Sequence, residues 1–147
     1  MIVQVNAENI RSAAEIHAES WRASHAAFCS AEFVQQHTVQ RQKAYLEKEL
    51  QSGKWLYMLI REIPVGIVSV KDSLIENLYV LPNQQRRGCG TELLLFAIKQ
   101  CAGRPHLWVL SNNEKAQSLY GKHGFRMTGN IHPLSAGLAE WEMALEP

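Results

Sequence analysis

Residues 85–91, with the sequence QRRGCGT, place two arginines and two glycines between a strand-like segment and a helix-like segment. At a helix start the first backbone N–H groups have no partner within the helix, and the helix dipole adds positive potential. Glycine lets such N–H groups approach a bound group closely, and arginine adds full positive charge. This composition predicts an anion-binding site with phosphate as the anion. The alternative is a tight strand-to-helix turn that carries solvated arginines.

The segments around this heptad predict an α/β fold, with a mixed sheet covered by helices. Three consecutive strand-like runs form a meander and a helix then crosses over to another strand, which predicts antiparallel neighbours followed by a parallel pair. Ligands bind such sheets where strands end and helices begin, and the heptad follows the third meander strand. The predicted order is βααβββαβαββ, with strands at 2–5, 55–61, 66–72, 74–81, 106–110, 125–129 and 139–145, and helices at about 9–23, 31–50, 88–103 and 113–122.

Length and composition describe an ordinary globular chain. With 147 residues, of which 46% are hydrophobic and 20% charged, it is expected to fold as a single domain over residues 1–147. A net charge of +1 gives no general attraction to nucleic acid or to a membrane, so neither is an expected partner. Three cysteines without CxxC spacing favour neither a disulfide framework nor a cysteine zinc site. Because we find no signal-like N-terminus and no apolar run of about 18 residues, we expect a soluble cytoplasmic protein.

Two segments of the sequence resemble the two central motifs of the GNAT family, the acetyl-CoA-dependent N-acetyltransferases. The first is ENLYVLPNQQRRGCGTELLLFAI, in which residues 85–90 match the family's Q/R-x-x-G-x-G/A loop. The second is HLWVLSNNEKAQSLYGKHGF, in which Asn113, Ala116, Tyr120, Gly124 and Phe125 match. The run IHAESWRASHAAF is similar to the opening helices of many small bacterial-type members. Since the predicted element order is also that of the family, the resemblance covers nearly the whole chain.

The resemblance implies that acetyl-CoA is the co-substrate. Its pyrophosphate would lie on the backbone N–H groups of residues 86–91, and its pantetheine amides would bond to the backbone of residues 78–80. Leu78 and Val80 could equally be core residues, and Asn113 could reach the pantetheine or ribose or only cap its helix. The implied cofactor site comprises Leu78, Tyr79, Val80, Gln85, Arg86, Arg87, Gly88, Cys89, Gly90, Thr91, Asn113, Ala116 and Tyr120.

Acetyl transfer to an amine requires a proton acceptor, a polarised carbonyl and a proton donor. An amine is mostly an ammonium ion near neutral pH, so a base must take a proton before the attack. Glu76 is the candidate base, although an alternating strand could instead turn its side chain to solvent. The backbone N–H of Val80 is the candidate oxyanion donor. The resemblance implies that Tyr120 donates a proton to the departing thiolate, and the alternative is a buried aromatic residue on the last helix.

The first helix carries His17, Trp21 and His25 at helical spacing. No further ligand with defined spacing accompanies them, so we expect no metal site. Trp21 and Phe28 are predicted instead to line the pocket of the acceptor amine, which needs an apolar wall. Cys89 lies at a helix N-terminus beside two arginines, where a thiol becomes more reactive, but direct transfer to an amine needs no acyl-cysteine.

Two function classes follow. The first is an N-acetyltransferase acting by direct attack of a primary amine, which a small molecule, a peptide, a protein or a tRNA-linked amino acid could carry. The second is an acyl-CoA-binding sensor or interaction domain without turnover, and Tyr120 with the intact glycines favours the enzyme. Acceptor choice is expected to depend on the first two helices and on the loop NIHPLSAGLAEWE, whose sequence does not name the acceptor. The strand AEWEMAL is predicted to be an exposed edge that could pair with a second subunit in a homodimer.

Overall fold

Seven strands form one sheet in the computed structural model, which describes residues 1–135 and 137–147. The order across the sheet is β1-β2-β3-β4-β5-β7-β6. Only the β4–β5 pair is parallel among the described strands. This confirms the predicted mixed sheet. The strands are β1 (Ile2–Gln4), β2 (Trp55–Ile60), β3 (Pro64–Lys71), β4 (Leu74–Val80), β5 (His106–Leu110), β6 (Phe125–Pro133) and β7 (Ala139–Leu145).

The helices follow the predicted order except that the second predicted helix, at 31–50, is divided in two. Ser30 caps one piece by accepting a hydrogen bond from the Phe33 N–H, and Thr38 caps the next by accepting from the Arg41 N–H. Each cap satisfies a backbone donor that a helix start leaves free, so two separate starts are stable here. The helices are α1 (Ile10–His25), α2 (Ala31–Gln35), α3 (Val39–Gln51), α4 (Cys89–Gln100) and α5 (Glu114–Lys122), with a short 3₁₀ turn at Pro82–Gln84.

Apolar side chains are buried on both faces of the sheet. On one face, α1 and α3 cover β2 and β3, with Ala13, Ala14 and Leu46 completely buried. On the other face, α4 covers β3 and β4, with Leu93 and Leu94 completely buried. Burial on both faces explains why β3 is apolar along most of its length rather than alternating. Within the described residues, no helix is both long and apolar enough to cross a membrane.

The C-terminal half of the sheet corrects one prediction. β7 lies between β5 and β6 and is antiparallel to both, so AEWEMAL is an interior strand and not the exposed edge. The edge on this side is β6, which extends to Pro133 and is longer than the predicted 125–129. The loop of residues 130–142 that was expected to influence acceptor choice therefore belongs mostly to β6 and β7, and its residue Ala136 lies outside the described residues.

Gly66 allows α4 to pack closely against β3. A Cβ at Gly66 would lie 2.6 Å from Leu93 Cδ1 and 3.1 Å from the Tyr79 carbonyl oxygen. Because a side chain and a backbone atom both limit this space, a methyl group would force the helix away from the sheet.

We expect Gly66→Ala to lower the free energy of unfolding by roughly 1–3 kcal/mol, the cost of overpacking a core. Gly121→Ala is the matched control, because it places the same methyl group within α5 where no atom lies within 4 Å. The control should be neutral or stabilise the protein by up to about 1 kcal/mol, since alanine favours a helix. Urea unfolding of both variants measures the difference, and equal stabilities would contradict this account of the packing.

Candidate active site

A cleft opens where β4 and β5 separate. The two parallel strands share the register pair Leu74–His106 and then diverge. Residues from β4, β5, the 85–91 loop and α5 line the resulting cleft, whose volume is about 1270 Å³. This volume is large for a single small molecule and suits an extended ligand.

A β-bulge lies in the middle of β4, facing this cleft. The register moves from Ile67–Tyr79 to Ser69–Glu76, so β4 contains one more residue than the matching part of β3. Asn77, in the extra stretch, has a left-handed backbone with φ of 53°. Its Nδ2 donates to Ser69 Oγ at 3.0 Å, and its Oδ1 accepts from the Tyr45 hydroxyl at 3.2 Å. These bonds hold a backbone conformation that asparagine tolerates better than most residues, and a bulge bends the strand that contains it.

Beyond the bulge, the backbone of β4 presents polar groups to the cleft. The Leu81 N–H donates to the Val65 carbonyl on β3 at 2.9 Å. Since successive residues of a strand turn their backbone groups to opposite sides, the N–H of Val80 faces the gap beside β5. Gln85 Nε2 donates to the Val80 carbonyl at 3.3 Å, which places that carbonyl on the same side. Leu78 and Val80 are half-buried against the core and also line the cleft, so packing in the core does not exclude the predicted pantetheine contact.

The loop between β4 and α4 carries a run of free backbone donors. Within the described residues, the N–H groups of residues 86–91 donate no hydrogen bond, and the first bond of the helix runs from the Glu92 N–H to the Gly88 carbonyl. Arg86 and Gly88 have left-handed backbones with φ of 64° and 80°. Alternation of left-handed and right-handed residues turns successive N–H groups into one concavity, which binds anions. We call residues 86–91 the N–H cradle.

The side chains of the cradle have different environments. Arg86, Gly88, Gly90 and Thr91 line the cleft, whereas the exposed Arg87 is not among the lining residues. Cys89 lines the cleft too, but it is 2% exposed and belongs to the hydrophobic core. A Cβ at Gly90 would be at least 3.4 Å from neighbouring atoms, so this glycine leaves open space at the helix start.

Helix α5 forms the opposite wall of the cleft. Asn113 caps it by accepting from the Ala116 N–H at 3.1 Å, and both residues line the cleft. Tyr120, 8% exposed, also lines the cleft and packs against Phe125. Burial, together with the nearby Tyr79, raises the pKa of the Tyr120 phenol well above its ordinary value. The phenol therefore keeps its proton at neutral pH and is a potential hydrogen-bond donor.

Glu76 lines the cleft and takes part in an ion-pair network. Lys54 Nζ lies 2.6 Å from Glu76 Oε1 and 2.7 Å from Glu49 Oε1. Burial opposes the charge on Lys54, but the hydrogen bonds to the two carboxylates raise the pKa of its ammonium group. Tyr45 also donates to Glu49 Oε1, at 2.8 Å, and so connects this network to the bulge at Asn77.

A second pocket, of about 320 Å³, is lined by residues of α1, α3 and β4. Trp21 and Phe28 were predicted to line one acceptor pocket. In the structure Trp21 lines this second pocket, whereas Phe28 lines the large cleft. The indole of Trp21 stacks on His25 and His37, with ring centroids 3.8 Å and 3.4 Å away. We call this second pocket the α1–α3 pocket. It is lined by His17, Trp21, His37, Arg41, Gln42, Tyr45, Asn77 and Tyr79.

His17 is a buried polar residue of this pocket. It is 4% exposed, its ring packs against Tyr79 at 4.7 Å, and its Nδ1 has no hydrogen-bond partner within the described residues. Burial lowers the pKa of His17 to about 4, so the ring is neutral at pH 7.

Sequence reasoning missed several residues of the site. Lys54 contacts Glu76, and Tyr45 contacts Asn77, which lies 32 positions further along the chain, so no local pattern marks these residues. One signal was available for Asn77, because asparagine is depleted in strands and tolerates a left-handed backbone. Its position within the run LIENLYV was therefore a sign of a bulge.

Comparison with known proteins gave one family match. A family model described as Acetyltransferase (GNAT) domain matches residues 8–147. A search of the curated proteins found no significant match.

Solved structures with similar folds come from several organisms. PaiA N-acetyltransferase from Thermoplasma acidophilum, in complex with coenzyme A, is 17% identical with a TM-score of 0.75, covering 100% of this chain and 98% of its own. Ribosomal-protein-S18-alanine N-acetyltransferase from Escherichia coli is 19% identical with a TM-score of 0.74, covering 99% and 92%. The apo form of YjaB from Escherichia coli is 24% identical with a TM-score of 0.67, covering 98% and 95%. These similarities show a shared fold.

The buried His17 makes stability depend on pH. Its folded pKa of about 4 lies below the ordinary histidine pKa of 6.5, so as pH falls the unfolded chain takes up a proton first. Stability is therefore present above about pH 6.5 and is lost as pH falls toward 4, by on the order of 3 kcal/mol. We expect His17→Gln to remove this part of the pH dependence, and the exposed His132→Gln to retain it. Urea unfolding at several pH values between 4 and 7.5 tests this, and identical profiles for wild type and His17→Gln would contradict it.

Proposed function

The chain belongs to the GNAT acetyltransferase family, as its two motifs predicted, and we propose that it transfers an acetyl group from acetyl-CoA to a primary amine by direct attack. The observation that carries this proposal is that one cleft contains both a free N–H cradle and a buried, protonated phenol. The structural likeness to the Thermoplasma acidophilum protein, which was solved with coenzyme A, supports the same ligand.

The chemistry of the cleft fits acetyl-CoA along its length. The N–H cradle supplies unpaired donors and a helix N-terminus for the pyrophosphate, and Arg86 adds positive charge beside them. The backbone of residues 78–80 offers donors and acceptors in the gap between β4 and β5, which suits the two amides of a pantetheine arm. Asn113 and Ala116 line the opposite wall, although the cap that Asn113 makes already occupies its side-chain oxygen.

When bound, acetyl-CoA would supply the acetyl group as a thioester. In the proposed reaction a C–N bond forms, the C–S bond breaks, one proton leaves the amine and one proton ends on the thiol. The backbone N–H of Val80 would stabilise negative charge on the carbonyl oxygen, because it faces the gap and is not used by β3. Tyr120 would give its proton to the departing sulfur.

Glu76 is the proposed proton acceptor for the amine. It lines the cleft next to the bulge, and its side chain is 36% exposed, so a water molecule can reach the carboxylate. Lys54 fixes one carboxylate oxygen in place by an ion pair. A carboxylate held in this way can accept the proton directly or through water.

The alternative function is acyl-CoA binding without turnover. A binding module has no use for a protonated phenol beside the sulfur, whereas burial of Tyr120 keeps such a phenol in the cleft. We therefore favour the enzyme, and measurements of CoA affinity and of turnover distinguish the two functions.

We expect calorimetric titration to show tight binding of acetyl-CoA and CoA, and binding at least about tenfold weaker for pantetheine, which lacks the pyrophosphate. Gly90→Asp should weaken CoA binding at least about tenfold, because it puts a carboxylate in the N–H cradle, where there is room for a side chain. Leu95→Asp, on the exposed face of the same helix, is the charge-matched control and should bind as wild type does. Equal affinities for CoA and pantetheine would remove the cradle from the proposal.

We expect Tyr120→Phe to lower kcat about tenfold or more while CoA affinity changes less than about twofold, since the lost hydroxyl acts only in the transfer step. Tyr57→Phe, on β2 and packed against Phe96, is the matched control outside the cleft. Steady-state release of CoA thiol, measured with an amine that wild type acetylates, gives kcat for each. Full turnover in Tyr120→Phe would exclude this residue as the proton donor.

A further inference from the structure

The lining of the α1–α3 pocket contains an arginine and no carboxylate. Among its eight lining residues is the guanidinium of Arg41, and none of the eight is an aspartate or glutamate. No described residue forms an ion pair with Arg41, and its guanidinium donates one long hydrogen bond, of 3.5 Å, to the Gln36 carbonyl. A polycationic acceptor would find no counter-ion on these walls, whereas an anionic group would find an unpaired one.

Two carboxylates lie near the α1–α3 pocket without lining it. Glu49 and Glu76 lie outside the lining of the pocket, and Lys54 contacts both of them at 2.7 Å and 2.6 Å. Tyr45, which does line the pocket, donates its hydroxyl proton to Glu49 and to Asn77. Lys54 offsets one of the two negative charges of Glu49 and Glu76, so the network keeps a net charge of −1 outside the lining of the pocket.

The α1–α3 pocket meets the large cleft at β4. Asn77 and Tyr79 line both the α1–α3 pocket and the large cleft, so its inner end lies on the bulged part of β4. Arg41 precedes Tyr45 by one turn of α3, and Tyr45 contacts Asn77, which places the cation about one helical turn from β4. A molecule with an amine at one end and an anion at the other matches this spacing.

The walls of the pocket are polar and aromatic rather than purely apolar. His17, Gln42 and Asn77 place polar side chains in the lining of the pocket. Both faces of the Trp21 ring are covered by imidazoles, so a ligand meets its edge and not its face. These features favour a small polar ligand over a large aromatic one.

We infer that the α1–α3 pocket binds the acceptor, and that this acceptor is a small amine carrying a carboxylate, which Arg41 holds while the amine lies beside Asn77 and Tyr79. The inference rests on the proposed acetyltransferase function and adds the chemical class of the second substrate. Arginine suits this task because its planar fork matches a carboxylate through two parallel hydrogen bonds.

The test is an acceptor panel of matched pairs, each consisting of an amino acid and its α-carboxamide, with spermidine as a polycationic probe. CoA thiol release and mass spectrometry of the acetylated product measure the rates. We expect kcat/KM to be at least about tenfold higher for the carboxylate member of the preferred pair. Equal rates within every pair, faster acetylation of spermidine, or no acetylation of any carboxylate-bearing amine would overturn the inference.

Variants of Arg41 test the contact itself. Arg41→Ala should raise KM for the carboxylate member about tenfold or more and change KM for the carboxamide less than about threefold, while Arg41→Lys restores part of the loss. Arg11→Ala is the control, because Arg11 pairs with Glu15 on the exposed face of α1. Equal effects of Arg41→Ala on both members of a pair would count against a carboxylate contact, and thermal unfolding of each variant checks that it is folded.

Titration of each protein with acetyl-CoA separates the two proposals. If wild type does not bind acetyl-CoA, the proposed function fails and the inference fails with it. If wild type binds acetyl-CoA and acetylates amines regardless of a carboxylate, the function stands and the acceptor class is wrong.

Discussion

The separation of β4 from β5 is the constraint on which the site depends. A parallel pair normally exchanges evenly spaced hydrogen bonds along its length, but these strands share the register pair Leu74–His106 and then diverge. Backbone groups beyond that point face a gap rather than a neighbouring strand. Buried backbone groups need partners, so the gap is a place where a polar, extended ligand completes the hydrogen bonding of the sheet.

The bulge at Asn77 connects this gap to the rest of the molecule. A left-handed residue inside a strand is costly unless surrounding contacts hold it, and here Ser69 and Tyr45 do so from β3 and α3. Through Tyr45 the bulge is joined to Glu49, Lys54 and Glu76. The strand backbone, the candidate base and the wall of the α1–α3 pocket are thus supported by one hydrogen-bonded network.

Local features of the site were predictable from sequence and long-range features were not. The heptad at 85–91 predicts a helix start with free backbone donors, because the effects of glycine and arginine on a helix N-terminus extend over only a few residues. The position of β7 between β5 and β6 depends on pairing between distant segments, so AEWEMAL was wrongly expected at the edge. The division of the second helix depends on the cap that Thr38 makes, and Thr38 lies in a polar stretch where the helical periodicity is weak. The α1–α3 pocket joins residues separated by more than 50 positions, and no periodicity identifies such a set.

The close packing of α4 on Gly66 has a consequence for the length of the co-substrate. Leu93 fills the space where a side chain would stand, so α4 cannot slide along β3 without losing this contact. The N–H cradle belongs to the start of α4, and the Val80 N–H belongs to the strand next to β3. The distance between the N–H cradle and the Val80 N–H is therefore fixed by core packing. A co-substrate whose pantetheine arm is shorter or longer than this distance would place its reactive carbon away from the Val80 N–H, even when its phosphates were fully bound.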